Sequence, residues 1–187
     1  MAAPDNSSPI ISVFTGDITT LKVDAIVNAT NPWFIGREGS TLGGLDAAIH
    51  QAAGSGLQEE CQKLGGFRTG QAKITNGYNL PAKYVIHTVG PVYEREEKDM
   101  QLWLSLCFYN ALLCADDYGL RSIAFPSMSS GSYAYKINKI AEIAVRIVSG
   151  FLKEETSIQE VIFCCLTQHH LEVYRKACSK LWPEINP

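Results

Sequence analysis

The 187-residue chain lacks the features that mark several functional classes. No apolar run approaches the ~20 residues that a membrane-spanning helix needs. The start, Met1–Pro9, has neither the basic residues nor the apolar stretch of a secretory signal. Basic residues are not in excess, since 16 Lys and Arg stand against 19 Asp and Glu, for a net charge of -3. We therefore expect no membrane partner, and binding to nucleic acid through bulk charge is disfavoured.

Metal-binding, redox and common nucleotide-binding motifs are also missing. None of the six cysteines forms a C-x-x-C pair and no set of metal ligands stands out, so we expect neither a metal nor a cofactor. Reduced thiols packed as small apolar side chains indicate a cytoplasmic or nuclear protein. Gly70 is not followed by Lys and then Ser or Thr, and no G-x-G-x-x-G follows a predicted strand. A triphosphate hydrolase and a classical dinucleotide dehydrogenase are therefore disfavoured.

The chain has the composition of a folded domain, with 46% hydrophobic and 19% charged residues. Short β-branched runs alternate with longer helical patterns, which predicts a layered α/β domain with a largely parallel sheet. We expect one domain over residues 10–182, between a flexible N-terminal segment (1–9) and a C-terminal tail (183–187). The predicted strands are Ile10–Phe14, Val23–Asn28, Ala72–Thr75, Tyr84–Val89, Ser122–Phe125 and Glu160–Cys165. The predicted helices are Gly44–Leu64, Met100–Tyr118, Ile137–Leu152 and His170–Leu181.

Unusual residues follow three of the predicted strands, and in such folds ligands bind beyond the carboxyl ends of the strands. Gly43 and Gly44 come just before a helical pattern, where backbone amides and the helix N-terminus favour an anion such as a diphosphate. Residues 129–132, Ser-Ser-Gly-Ser, open another helical segment and supply further uncharged donors. The two loops together predict a diphosphate clamp, although the glycine pair could instead serve only a sharp turn. Asp17, after the first strand, is either a cap or turn residue or an acceptor for a base amine.

Five motifs occur in one order between about Ile11 and Cys178: GDIT (16–19), DAIVNATN (24–31), GGLDAAIH (43–50), TGQA (69–72) and YVIHTVGP (84–91). On these motifs the sequence resembles the macrodomain family, and within it the MacroD-type ADP-ribosyl hydrolases. The resemblance covers nearly the whole chain. It implies a three-layer α/β/α domain with a mixed sheet and one cleft that binds ADP-ribose.

The resemblance also implies roles for the matched residues. Asp17 corresponds to the acceptor of the adenine amine, with the backbone of Ile18 beside it. Asp46 stands at the position of the catalytic aspartate, and Asn31 holds the distal ribose in the same catalytic site. Asn28 is expected to brace the loop that follows it. The implied diphosphate loops are Gly43, Gly44 and Leu45, and Ser129, Ser130, Gly131 and Ser132, followed by Tyr133, which stacks near the distal ribose.

The implied substrate is an ester between a protein carboxylate and C1″ of the distal ribose. Asp46 would accept a proton from water or orient it, and the implied partners are ADP-ribose and mono-ADP-ribosylated proteins. A non-catalytic reader of such proteins remains an alternative, because Pro32–Leu42 is longer and bulkier than the usual glycine-rich loop. An enzyme acting on O-acetyl-ADP-ribose or ADP-ribose 1″-phosphate is another. Leu166 or Thr167 stands where an aromatic often stacks on adenine. His87 lies inside a predicted strand and is expected to be a core histidine with its hydrogen bonds satisfied.

Overall fold

In the computed structural model of the protein, the structure describes residues 8–30, 44–66, 68–91, 99–128 and 136–182. The predicted tail (183–187) and residues 1–7 of the predicted N-terminal segment lie outside these ranges. The strands are β1 (Ile10–Thr15), β2 (Ala25–Thr30), β3 (Ala72–Asn76), β4 (Tyr84–Val89), β5 (Ser122–Pro126) and β6 (Glu160–Cys165). The helices are a short 3-10 helix (Ile18–Thr20), α1 (Leu45–Ala53), α2 (Ser55–Leu64), α3 (Met100–Asp117), α4 (Ile137–Phe151) and α5 (Gln168–Leu181).

The strands form one mixed sheet in the order β1-β6-β5-β2-β4-β3. Every neighbouring pair is parallel except β3 and β4, which run antiparallel. Parallel strands covered on both faces need continuous apolar runs, and the first three residues of β2 are buried without interruption. The predicted fold class, a three-layer α/β/α domain with a mixed and largely parallel sheet, is confirmed.

Helices cover both faces of the sheet. Alternate side chains of each strand point to opposite faces, so one strand contributes to two apolar cores. In β2, Val27 belongs to the larger core, which the sheet forms with α3, α4 and α5. Its neighbour Ile26 belongs to the smaller core, together with Ile49 of α1 and Leu57 of α2. The face that carries the smaller core is the one on which the candidate site lies.

The prediction of one continuous helix over Gly44–Leu64 is wrong, because the structure has two helices there. Gly54 lies between them with a φ of 84°, a conformation that interrupts an α-helix and that glycine adopts without strain. Its N–H donates to the carbonyl oxygen of His50 and so ends α1. The other helices and all six strands begin and end within two residues of their predicted bounds.

The predicted strand Val23–Asn28 begins too early and ends too early, since β2 spans Ala25–Thr30. Asp24 precedes the strand, and its carboxylate holds three chain segments together. It accepts hydrogen bonds from Lys83 Nζ at 2.6 Å and from the backbone N–H of Ser122 at 3.1 Å. These contacts tie the start of β2 to the starts of β4 and β5.

The six cysteines are free thiols, and all are buried except Cys114, which is half-buried. Burial is the main cause that raises the pKa of Cys61 and of Cys178 to about 12, so both thiols stay neutral. This agrees with the prediction that the cysteines pack as small apolar side chains. No helix within the described ranges has the length and apolar character needed to cross a membrane.

Candidate functional site

The candidate site lies at the edge of the sheet where the parallel strands β1, β2, β5 and β6 end. Asp17 follows β1 after one residue, Gly16, and α1 contacts the 3-10 helix that Asp17 begins. The structure therefore brings the described members of the predicted site to one edge: Asp17, Ile18, Gly44, Leu45 and Asp46. The other predicted site residues lie outside the described ranges, so their roles stay predictions: Asn31, Gly43, Ser129, Ser130, Gly131, Ser132 and Tyr133.

Asp17 caps the 3-10 helix, as one of its two sequence interpretations predicts. Its Oδ1 accepts hydrogen bonds from the backbone N–H of Thr19 at 2.9 Å and from Thr19 Oγ1 at 2.7 Å. Within the described ranges Oδ2 accepts no hydrogen bond, and the residue is exposed. Capping and ligand binding are therefore compatible, because each can use a different oxygen of the same carboxylate.

Two exposed apolar side chains lie at the ends of β1 and β6, which are neighbours in the sheet. Phe14 pairs with Cys164 in the sheet and is 43% exposed, and Leu166 is 81% exposed. Thr167 is the N-cap of α5, where its hydroxyl oxygen accepts from the backbone N–H of His170 at 3.2 Å. Of the two residues predicted to replace the usual aromatic, Leu166 is thus the one with apolar surface to offer a ligand.

Helix α1 begins with backbone donors that no side chain of its N-cap residue satisfies. The N-cap is Gly44, with a φ of 86°, a region that glycine enters far more readily than other residues. The first turn of an α-helix presents unpaired N–H groups and a positive partial charge, and a glycine lets a ligand approach them closely. This start of α1 fits the predicted role of Gly44 and Leu45 as part of an anion-binding loop.

Asp46 is the second residue of α1 and its side chain is 15% exposed. It does not cap the helix, because its carboxylate turns toward the sheet: Asn28 Nδ2 donates to Asp46 Oδ1 at 2.6 Å. His50 Nε2, one turn later, lies 3.8 Å from the same oxygen. Asn28 therefore braces this carboxylate.

A chain of buried polar side chains continues behind Asn28. His87 Nδ1 lies 3.3 Å from Asn28 Nδ2, and His87 Nε2 lies 2.9 Å from Thr75 Oγ1 and 3.6 Å from Cys61 Sγ. Burial, followed by the nearby His50, lowers the pKa of His87 to about 3, so the ring is neutral at physiological pH. The prediction that His87 is a satisfied core histidine is confirmed. The link from His87 through Asn28 to Asp46 was not predicted. Its signal in the sequence is the presence of polar residues, Asn28 and His87, within apolar strands.

The neutral state of His87 should make stability depend on pH. Its pKa in the folded protein, about 3, lies below the ordinary value of 6.5, so the unfolded chain binds the extra proton between these values. The free energy of unfolding should therefore fall as the pH drops below 6.5, by up to about 1.4 kcal/mol per pH unit from this group. In a His87→Asn variant, the free energy of unfolding measured in urea should decrease less steeply between pH 7 and pH 4.5. Equal slopes in both proteins would contradict the assignment.

Comparison with known proteins identifies the family of this chain. A model of the Macro domain matches residues 27–144. The chain belongs to the macro domain family. A macro domain-containing protein of Chlorobaculum tepidum is 48% identical over 174 residues, which cover 93% of this chain and 97% of the relative. The ADP-ribose glycohydrolase MACROD2 of Xenopus laevis is 43% identical over 176 residues, which cover 93% of this chain and 41% of that longer protein.

A solved structure shows that the likeness extends to the macrodomain fold. A mutant Oceanobacillus iheyensis macrodomain with ADPR superposes with a TM-score of 0.86 at 32% identity, covering 98% of this chain and 99% of that one. In the macrodomain described here, no group of three or more His, Cys, Asp or Glu side chains in the described ranges could hold a metal ion. The described site combines backbone donors at the start of α1 with one braced carboxylate.

Proposed function

We propose that this macrodomain binds ADP-ribose and hydrolyses the ester between mono-ADP-ribose and acidic side chains of modified proteins. The observation that carries the proposal is the Asp46 carboxylate, held by Asn28 at the uncapped start of α1. Its relative in Xenopus laevis is named a glycohydrolase of ADP-ribose, and the Oceanobacillus iheyensis macrodomain was solved with ADPR. Both names support a site that binds ADP-ribose, and the first also supports cleavage of a bond to it.

In the proposed reaction, the diphosphate binds the amides at the start of α1, next to Gly44. The favourable helix N-terminus and the absence of a bulky side chain on Gly44 support this placement. The distal ribose then lies beside Asp46, whose Oδ1 is already engaged by Asn28. Its Oδ2 takes a proton from a water molecule as the water oxygen bonds to C1″. The bond between C1″ and the ester oxygen breaks, which releases ADP-ribose and a protein carboxylate.

The test of this function is a reaction with a transferase that has modified its own acidic side chains with labelled ADP-ribose. Loss of the label with release of free ADP-ribose supports the hydrolase. Retention of the label together with co-precipitation of the macrodomain favours the alternative, a reader that binds modified proteins without cleaving them. The atypical segment Pro32–Leu42, which lies outside the described ranges, is the sequence feature that favours the reader.

Asp17 should contribute to affinity through its second carboxylate oxygen. In the proposed complex Oδ2 accepts from the adenine amine while Oδ1 keeps its two bonds to Thr19. Asp17→Ala should therefore weaken ADP-ribose binding by roughly 1–3 kcal/mol, as measured by calorimetry. It should also cost roughly 1 kcal/mol of stability through the lost cap.

Asp17→Asn is the matched variant that separates the two roles of this residue. Its amide oxygen can still cap the 3-10 helix, but an NH2 group replaces the oxygen that faces adenine. We expect weaker binding with nearly unchanged stability. Wild-type affinity in both variants would remove Asp17 from the adenine site.

A further inference from the structure

We propose that Asn28, His87 and Thr75 form a buried positioning chain that fixes the Asp46 carboxylate for hydrolysis. This role rests on the function proposed above. The three side chains belong to β2, β4 and β3, which are neighbours in the sheet, and Asn28 is the register partner of His87. They therefore form one polar row across three strands, and Asp46 stands at its end.

Every link of the chain has a set direction. The atom of Asn28 that faces Asp46 Oδ1 at 2.6 Å must be the nitrogen, because an oxygen there would face a second acceptor. The other hydrogen of that nitrogen points at His87 Nδ1, so Nδ1 is the acceptor and Nε2 carries the ring proton. His87 Nε2 then donates to Thr75 Oγ1, whose hydroxyl donates to the carbonyl oxygen of Val85 at 3.4 Å.

The three side chains of the positioning chain are buried, so water does not compete for their hydrogen bonds. Asn28 is 0% exposed, His87 1% and Thr75 2%. Hydrogen bonds that are buried and fully directed hold their geometry more firmly than exposed ones, since no water competes for them. The bond from Asn28 falls on Oδ1 of Asp46, and within the described ranges Oδ2 accepts no hydrogen bond and is left for water. Because a displacement of about 1 Å in a reacting group can cost 10²-fold in rate, fixing this carboxylate has a direct kinetic consequence.

A purely structural role explains the polar row poorly. On the same face of the sheet, Ile26 lies two residues before Asn28 in β2 and Val85 two residues before His87 in β4, and both belong to the smaller apolar core. Within the described ranges the buried Oδ1 of Asn28 has no hydrogen-bond partner, which costs stability that an apolar side chain would not cost. Asn28 therefore lowers the stability of the core, and its role as a donor to Asp46 accounts for its presence there.

The test compares two identical substitutions at buried threonines. Thr75→Val breaks the end of the chain, whereas Thr88→Val removes a hydroxyl on the opposite face of β4 that donates to the carbonyl oxygen of Gln71 at 2.9 Å. Thr75→Val should lower kcat by about 2- to 10-fold, with KM and ADP-ribose affinity unchanged. Thr88→Val should leave kcat at the wild-type value, even if both variants melt at a lower temperature.

A double-mutant cycle shows whether the chain acts through Asp46. Asn28→Leu should lower kcat by about 10- to 100-fold, because Asp46 loses a charge-assisted hydrogen bond. In an Asp46→Ala background, single-turnover rates should not fall further when Asn28→Leu or Thr75→Val is added. If Asn28→Leu does not fold, the comparison of Thr75→Val with Thr88→Val still decides.

The outcomes separate this inference from the proposed function. If the wild-type protein hydrolyses the ester but the two threonine variants lose kcat equally, the positioning chain is wrong and the proposed function stands. The same holds if the losses multiply in the Asp46→Ala background. If the wild-type protein shows no turnover, the proposed function and the positioning chain are both wrong.

Discussion

Asp46→Asn is expected to lower the rate of ester hydrolysis by about 10²-fold or more while ADP-ribose affinity stays close to that of the wild type. The asparagine oxygen can still accept from Asn28 Nδ2, so the brace seen at 2.6 Å is preserved. The amide cannot take a proton from water, however, and this is the step assigned to Asp46. Single-turnover release of ADP-ribose measures the rate, and calorimetry measures the affinity.

Asp46→Ala supplies the matched comparison, because it removes both the base and the brace. We expect a similar loss of rate together with a loss of about 1–3 kcal/mol in the free energy of unfolding, since the buried amide of Asn28 is left without its acceptor. Near-normal turnover by Asp46→Asn would show that the carboxylate only accepts a hydrogen bond. Another group, such as the substrate diphosphate, would then take the proton.

Gly44→Glu is expected to abolish ADP-ribose binding, with affinity reduced by at least about 10²-fold. The new side chain would add bulk and a negative charge where the proposed diphosphate meets the amides of α1. A Cβ on Gly44 meets no atom within 4 Å in the described ranges, so the described part of the protein leaves room for the substitution. The φ of 86° adds strain of roughly 1–2 kcal/mol, which must be separated from the effect on binding.

Gly119→Glu is the control for that strain. Gly119 has a φ of 65°, and a Cβ there likewise meets nothing within 4 Å in the described ranges. Gly119 lies in the connection between α3 and the amino end of β5, at the edge of the sheet opposite the candidate site. We expect Gly119→Glu to lose comparable stability and to bind ADP-ribose normally. Equal binding by both variants would remove Gly44 from the diphosphate site.

Strand positions could be predicted well from the sequence where apolar residues run without interruption. The predicted bounds of β4, Tyr84–Val89, and of β6, Glu160–Cys165, agree with the structure. The break at Gly54 could not be predicted, because a single glycine inside a helical pattern is compatible with a continuous helix. Just before β2, Asp24 contacts two other segments, and such contacts exist only once the sheet has formed.

The candidate site could be predicted in its position but not in its connections. Motifs placed Asp17 and Asp46 near strand ends, and the parallel sheet brings those ends to one edge. The bond between Asn28 and Asp46 joins residues 18 positions apart across a strand and a helix. The contact of Asn28 with His87 depends on the register of β2 against β4, which no spacing along the chain reveals.

The measurement that tests the account most directly is the release of free ADP-ribose from a protein modified on acidic side chains, with an arginine-modified protein in parallel. The account predicts that the wild-type macrodomain frees ADP-ribose from the acidic substrate over many turnovers and regenerates the protein carboxylates. It predicts that the arginine-linked label stays in place, because its bond offers no carboxylate leaving group. Retention of the acid-linked label under conditions in which the macrodomain binds ADP-ribose would contradict the account.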